Sequence, residues 1–287
     1  MCYIFMTMKI DKEGLRRLKI FLEELYDPHL LKTYIKDDPI EFPHLYQDAE
    51  DIEIAGLIAS SLAFGRVDLF KPVIRKVLSL SEGGLYEYVV NFDPVKDVKY
   101  FDTLYYRMCR GRDMACLIWM LSVAVRRYGT LGNLFTLCYR GGGTIKDALK
   151  RFVDTMMEID TTPVYGERIY PRGLRQLLPS PERGGACKRL NMYLRWMVRP
   201  RDGIDFGLWD SIHPSVLIIP VDIHIARICT RLGMTERRST SWAMAEEITE
   251  KFRILAPEDP TKYDFALCHM GMSGRWSAEC GMDGGRS

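Results

Sequence analysis

Apolar residues recur at three-to-four spacing through segment after segment of this chain, while alternating β-branched runs are nearly absent. This periodicity predicts an all-α protein. The clearest case begins at Asp51: Ile52, Ile54, Ala55, Leu57, Ile58, Leu62 and Phe64 make a stretch, closed by Gly65, that is too apolar to be anything but a buried central helix. Further helices are predicted near 11–25, 68–80, 112–128, 130–139, 144–159, 185–198, 222–232, 240–254 and 261–271. The breaks fall at Gly83-Gly84, Gly129, Gly141 to Gly143 and Gly233. Asp37 to His44 and Thr161 to Pro163 read as extended connectors, because a residue before proline avoids the helical region. One domain over 1–273, with two lobes around a cleft, fits the pattern. The tail 274–287 has no periodicity and reads as disordered.

With 287 residues, 47% of them hydrophobic, the chain can bury a substantial core. The net charge of +2 means that any nucleic-acid surface has to be a local patch. Eight cysteines lie scattered without a CxxC pair, which favours reduced thiols and a cytoplasmic protein. The apolar start, Cys2 to Met8, is too short to cross a membrane. No cofactor is expected.

One patch stands out. From Arg183 to Arg201 there are six basic residues (Arg183, Lys188, Arg189, Arg195, Arg199 and Arg201) and no acidic one, with Arg168, Arg172 and Arg175 just before. Such a cluster suits either a phosphate-tracking face or a solvated helix surface. Within it, 172–198 reads as helix, hairpin, helix. The small residues Gly184, Gly185 and Ala186 would let backbone N–H groups at a helix start approach a phosphate. Lys188 falls in the first turns of that helix, where a basic neighbour, the dipole and partial burial would lower its pKa and leave a nucleophilic amine. A phosphate contact is the alternative. Asp222 is placed to cap a later helix, and an anion there could stabilise an oxocarbenium ion. His213, Asp222 and His224 make a poor metal set, because residues two apart on a helix diverge, so no metal is expected.

These residues resemble the helix-hairpin-helix DNA glycosylase superfamily, whose hairpin reads Gly-x-Gly-x-Lys and whose later helix opens Val-Asp-x-His-x-x-Arg. Gly184 to Lys188 matches with Ala186 in the second glycine place, and Val221 to Arg227 matches throughout. The longer interval between the two is similar to that of archaeal-type 8-oxoguanine glycosylases. Asp51 to Gly56 and Arg189 to Met197 also resemble an uncharacterised bacterial family within that superfamily. No four-cysteine iron–sulfur set is present near the C-terminus.

The resemblance implies a base-excision repair glycosylase with AP-lyase activity on damaged duplex DNA, 8-oxoguanine being the best guess for the lesion. Lys188 would be the Schiff-base nucleophile and Asp222 its assistant. Arg183, Gly184, Gly185, Ala186 and Arg189 would hold the backbone of DNA bound by a monomer. A noncatalytic DNA- or RNA-binding protein, or a glycosylase acting on RNA, remains open. Phe64, Trp196, Trp209 and Trp276 are unranked candidates for base stacking.

Overall fold

The computed structural model describes residues 12–81, 84–140 and 143–272. The tail predicted at 274–287, with Trp276, lies outside them. The first elements are α1 (Lys12–Leu25), α2 (Pro28–Lys32), α3 (Ala49–Leu62), α4 (Val67–Leu78), α5 (Leu85–Val90) and α6 (Pro94–Asp97). A small antiparallel ribbon of β1 (Tyr105–Tyr106) and β2 (Cys109–Arg110) follows. Next come α7 (Gly111–Tyr128), α8 (Leu131–Arg140), α9 (Ile145–Glu158), α10 (Thr162–Tyr165) and α11 (Arg172–Leu177). The last are α12 (Lys188–Val198), α13 (Ile223–Arg231), α14 (Trp242–Leu255) and α15 (Asp264–Met272). The described chain is thus mostly helical.

Both predicted extended connectors are in fact helical. Asp38 caps a 3-10 turn over Pro39–Glu41, and further turns span Ile35–Asp37 and Pro43–Leu45. Thr162–Tyr165 is α10. The turns at Pro39 and Pro43 and α10 share one reason: a proline just inside a helix start has its φ already set and lacks only an N–H that would be unpaired there.

α3 is buried without a break from Asp51 to Leu62, as its composition predicts. α12 lies along it, and the approach is close at Gly56, where an added Cβ would sit 3.0 Å from Met197 Cε and 3.1 Å from Tyr193 Cε2. Two acids of α3 serve other elements: Asp51 accepts from Tyr86 N (2.6 Å) in the first turn of α5, and the second is Glu53. It accepts from Leu131 N (2.9 Å) and Gly132 N (3.1 Å), capping α8, and from Trp209 Nε1 (2.7 Å).

Ten of the eleven residues of α12, Arg189 to Val198, are buried, so the basic run is no continuous surface face. Arg195 pairs with Asp264 (2.7 Å) and Asp205 (3.2 Å). Arg199 pairs with Asp205, Asp259 (2.8 Å) and Asp202 (3.2 Å). The acids come from beyond the basic run, where a local reading of charge does not see them. Their pairing ties α12 to α15 and to the segment that follows α12.

Candidate functional site

The chain turns between α11 and α12 through a 3-10 turn at Pro181–Arg183 that ends on Gly184 in the left-handed region (φ 77°). Glycine takes that conformation without steric cost. α12 begins only at Lys188, three residues later than the predicted start. Cys187, at φ 47°, makes the last bend before it. The bend is braced: Asn191 N donates to Cys187 O (3.0 Å) and Asn191 Nδ2 to Ala186 O (3.0 Å).

The small residues are therefore not the helix start they were expected to be. Gly184 N–H is spent on Pro181 O (3.1 Å), Gly184 O accepts from Trp242 N (2.9 Å), and Ala186 is buried, whereas Gly185 and Arg183 are exposed.

Arg189 differs from expectation more sharply. It is buried, donates to Ser61 O and Gln176 O, and lies 4.8 Å over the Phe64 ring. A guanidinium committed to two backbone carbonyls staples α3 to α11 and has little left for an external phosphate. It does fix Phe64, the one stacking candidate at the site among the described residues. Trp196 and Trp209 are core residues, and Trp209 stacks on Phe135 at 5.3 Å.

Lys188 and Asp222 meet. Lys188 Nζ lies 2.7 Å from Asp222 Oδ2, with the two side chains 32% and 19% exposed. An eleven-residue helix is about 16 Å long, and the chain must travel back along α12 for the two to touch. The segment after α12 makes that return while bonded to the helix end, with Phe206 N on Trp196 O (2.8 Å) and Leu208 N on Met197 O (2.7 Å). Asp222 then caps α13 as predicted: its Oδ1 accepts from His224 N and Ile225 N, each at 2.9 Å. One oxygen holds the helix and the other holds the amine.

The charge state of the amine is the reverse of the expected one. Burial alone would lower the Lys188 pKa, but the groups beside it, Cys268 and Asp222, hold it above the ordinary lysine range. Burial pushes the Cys268 thiol up to about 12, so near neutral pH it carries no charge and Asp222 is the partner that acts. Asp222 is held below the usual carboxylate range in spite of burial, by Lys188 and by the backbone N–H of Ile225. At rest the pair is ammonium and carboxylate.

A cavity of about 490 Å³ opens on this pair. Its remaining wall is mostly apolar, with Phe64, Phe70, Met192 and Met272 among the lining, and also includes Asp38 and Cys268. That volume is in the range of roughly 300–1,000 Å³ usual for small-molecule sites. A second cavity, of about 570 Å³, is lined by Glu53, Asn133, Arg140 and Trp209, away from the pair. Among the described residues no three His, Cys, Asp or Glu are grouped to hold a metal, and no helix is long and apolar enough to cross a membrane.

Asp38 and Cys268 went unnoticed in the sequence as site residues. A signal for Asp38 existed: Asp38-Pro39 is a cap followed by a first-turn proline. Cys268 carries no such mark.

No curated protein and no solved structure matches the chain. One family model, described as a protein of unknown function (DUF2400), matches residues 38–273. The match begins at Asp38 on the cavity wall, includes both Lys188 and Asp222, and runs to the end of α15; by this extent the chain belongs to the DUF2400 family.

Proposed function

We propose that this protein is a nucleic-acid glycosylase with lyase activity, acting on a damaged base in duplex DNA through an imine to Lys188. The observation that carries the reading is the contact between Lys188 and Asp222 at the mouth of a cavity large enough for an extruded base. The helix-hairpin-helix resemblance and a two-lobed arrangement with a cleft belong to the same proposal. A damaged nucleotide would be flipped from the stack, at a cost of a few kcal/mol, into the apolar cavity beside Phe64. Ile223 and Met272, both exposed and both at the cavity, offer apolar surface to fill the gap left behind.

Chemistry requires that the ammonium first lose a proton. As a sugar enters, Asp222 turns its charge toward the developing oxocarbenium ion, and the Lys188 amine, losing its partner in a drier site, gives up its proton to solvent. The amine then bonds to the sugar C1′ while the glycosidic bond breaks. The base leaves with the electron pair and takes up a proton. Ring opening gives the imine, and loss of a proton from C2′ expels the 3′ phosphate.

The clamped ammonium favours one other reading, a noncatalytic binding protein in which Lys188 only contacts phosphate. A panel of duplexes, each with one damaged base, separates the two by strand nicking and borohydride trapping. The glycosylase reading expects a trapped adduct with at least one lesion. Salt-dependent binding to all, with neither nick nor adduct, would replace it with the binding reading.

A further inference from the structure

Among the described residues three carboxylates line the cavity: Asp37, Asp38 and Asp222. Asp37 is exposed, and Asp222 is committed to Lys188 and the α13 cap. Asp38 is different. It is 8% exposed, yet it reaches the wall of a mostly apolar cavity, and its own bonds do not exhaust it. Oδ1 accepts from Ile40 N at 2.9 Å, and Oδ2 lies 3.6 Å from His269 Nε2.

His269 is itself 6% exposed and stacked on Tyr34 (ring centroids 4.8 Å), with Phe265 4.4 Å away on its own helix. Its Nε2 makes no hydrogen bond among the described residues. A carboxylate carries about four acceptor positions and, when ionised, no donor. Burial works against its charge, but His269 and the Ile40 N–H hold its pKa below the usual range. An ion is thus kept on an apolar wall, and an unmet acceptor so placed is costly unless something donates to it.

We propose that Asp38 is the specificity-determining residue of this cavity, an acceptor that takes a hydrogen bond from an N–H on the edge of the extruded base, with His269 as the residue that positions it. The inference rests on the glycosylase reading above. The side chain is 11% open, enough for one such bond. The ligand class is a purine with N–H donors on its edge, as in 8-oxoguanine; a base edge that presents only acceptors would be repelled. Phe64, pinned by Arg189, supplies an aromatic surface on the same cavity.

The test uses the full chain with two duplexes, one carrying a single 8-oxoguanine and one a single abasic site. Abasic DNA has no base, so borohydride trapping on it reads Lys188 without Asp38. Asp38→Asn keeps the size and an acceptor for Ile40 N–H, but it can turn a donor toward the base. Release of 8-oxoguanine is expected to fall about tenfold or more, the effect of losing one charge-assisted bond, with abasic trapping unchanged within about twofold.

Equal release by variant and parent would overturn the assignment. So would an equal loss on both duplexes, which would make Asp38 a folding residue. If Asp38→Asn fails to fold by circular dichroism, His269→Gln provides the second readout: a selective loss on the 8-oxoguanine duplex supports the inference, and an unchanged ratio between the duplexes overturns it. A parent chain that traps on abasic DNA but leaves 8-oxoguanine in place contradicts this inference alone. One that traps on neither duplex contradicts the glycosylase reading and takes this inference with it.

Discussion

Lys188 and Asp222 hold each other in their charged forms, and this sets how the site responds to pH. The Asp222 pKa is lowered from an ordinary 3.8, so its share of the stability is present above that value and lost as pH falls through the lower folded value. The Lys188 pKa is raised from an ordinary 10.5, so its share is present below that value and lost as pH rises through the higher folded one. The pair therefore stabilises the fold across the whole range between. Asp222→Asn retains a capping side chain for α13 and removes only the charge. Thermal melts are expected to show a cost of about 1 kcal/mol at pH 7 for this partly exposed pair, shrinking toward nothing as acid protonates Asp222 below the ordinary carboxylate range. A deficit of the same size in acid would mean that the loss is one of capping or packing. Which residues meet was legible from the hairpin lysine and the cap signature at Val221-Asp222. The charge of the amine was not, because it depends on a carboxylate 34 positions away at 2.7 Å.

At the scale of elements, the helices with long unbroken periodicity were legible and the short proline-led turns were not. α3 announces itself by an apolar surface on every side, which only a core position can satisfy. The turns around Pro39 and Pro43 and the short α10 have too few residues to show a period. α12 was legible as a helix but not as a buried one, because the acids that neutralise Arg195 and Arg199 lie after it in the chain. Its contact with α3 is set by Gly56. Gly56→Val would drive a branched side chain into Tyr193 and Met197, an overpacking worth about 1–3 kcal/mol. The melting temperature is expected to fall by several degrees, and an unchanged one would show that the two helices can separate freely at this point.

For the molecule as a whole, a net charge of +2 leaves affinity for DNA to locally exposed cations. Arg189, Arg195 and Arg199 are internal, whereas Arg172, Arg175 and Arg183 are exposed near the turn. Binding to undamaged duplex, measured against salt, should weaken with a slope set by the few phosphates neutralised. Arg183→Ala should reduce that slope by about 1. An unaltered slope would move the DNA surface elsewhere. The cavity could not be read in full from the sequence, since its wall joins Asp38 near one end of the described chain to Cys268 near the other. Only the fold brings them together.

The central claim is that the Lys188 amine becomes covalently joined to a sugar carbon. Incubation of the full chain with abasic duplex and borohydride, followed by proteolysis and mass mapping of the adduct, tests it most directly. The account predicts one modified peptide, carrying the sugar remnant on Lys188, and its loss in Lys188→Ala. An adduct on any other residue, or none with a folded protein bound to the DNA, would contradict it.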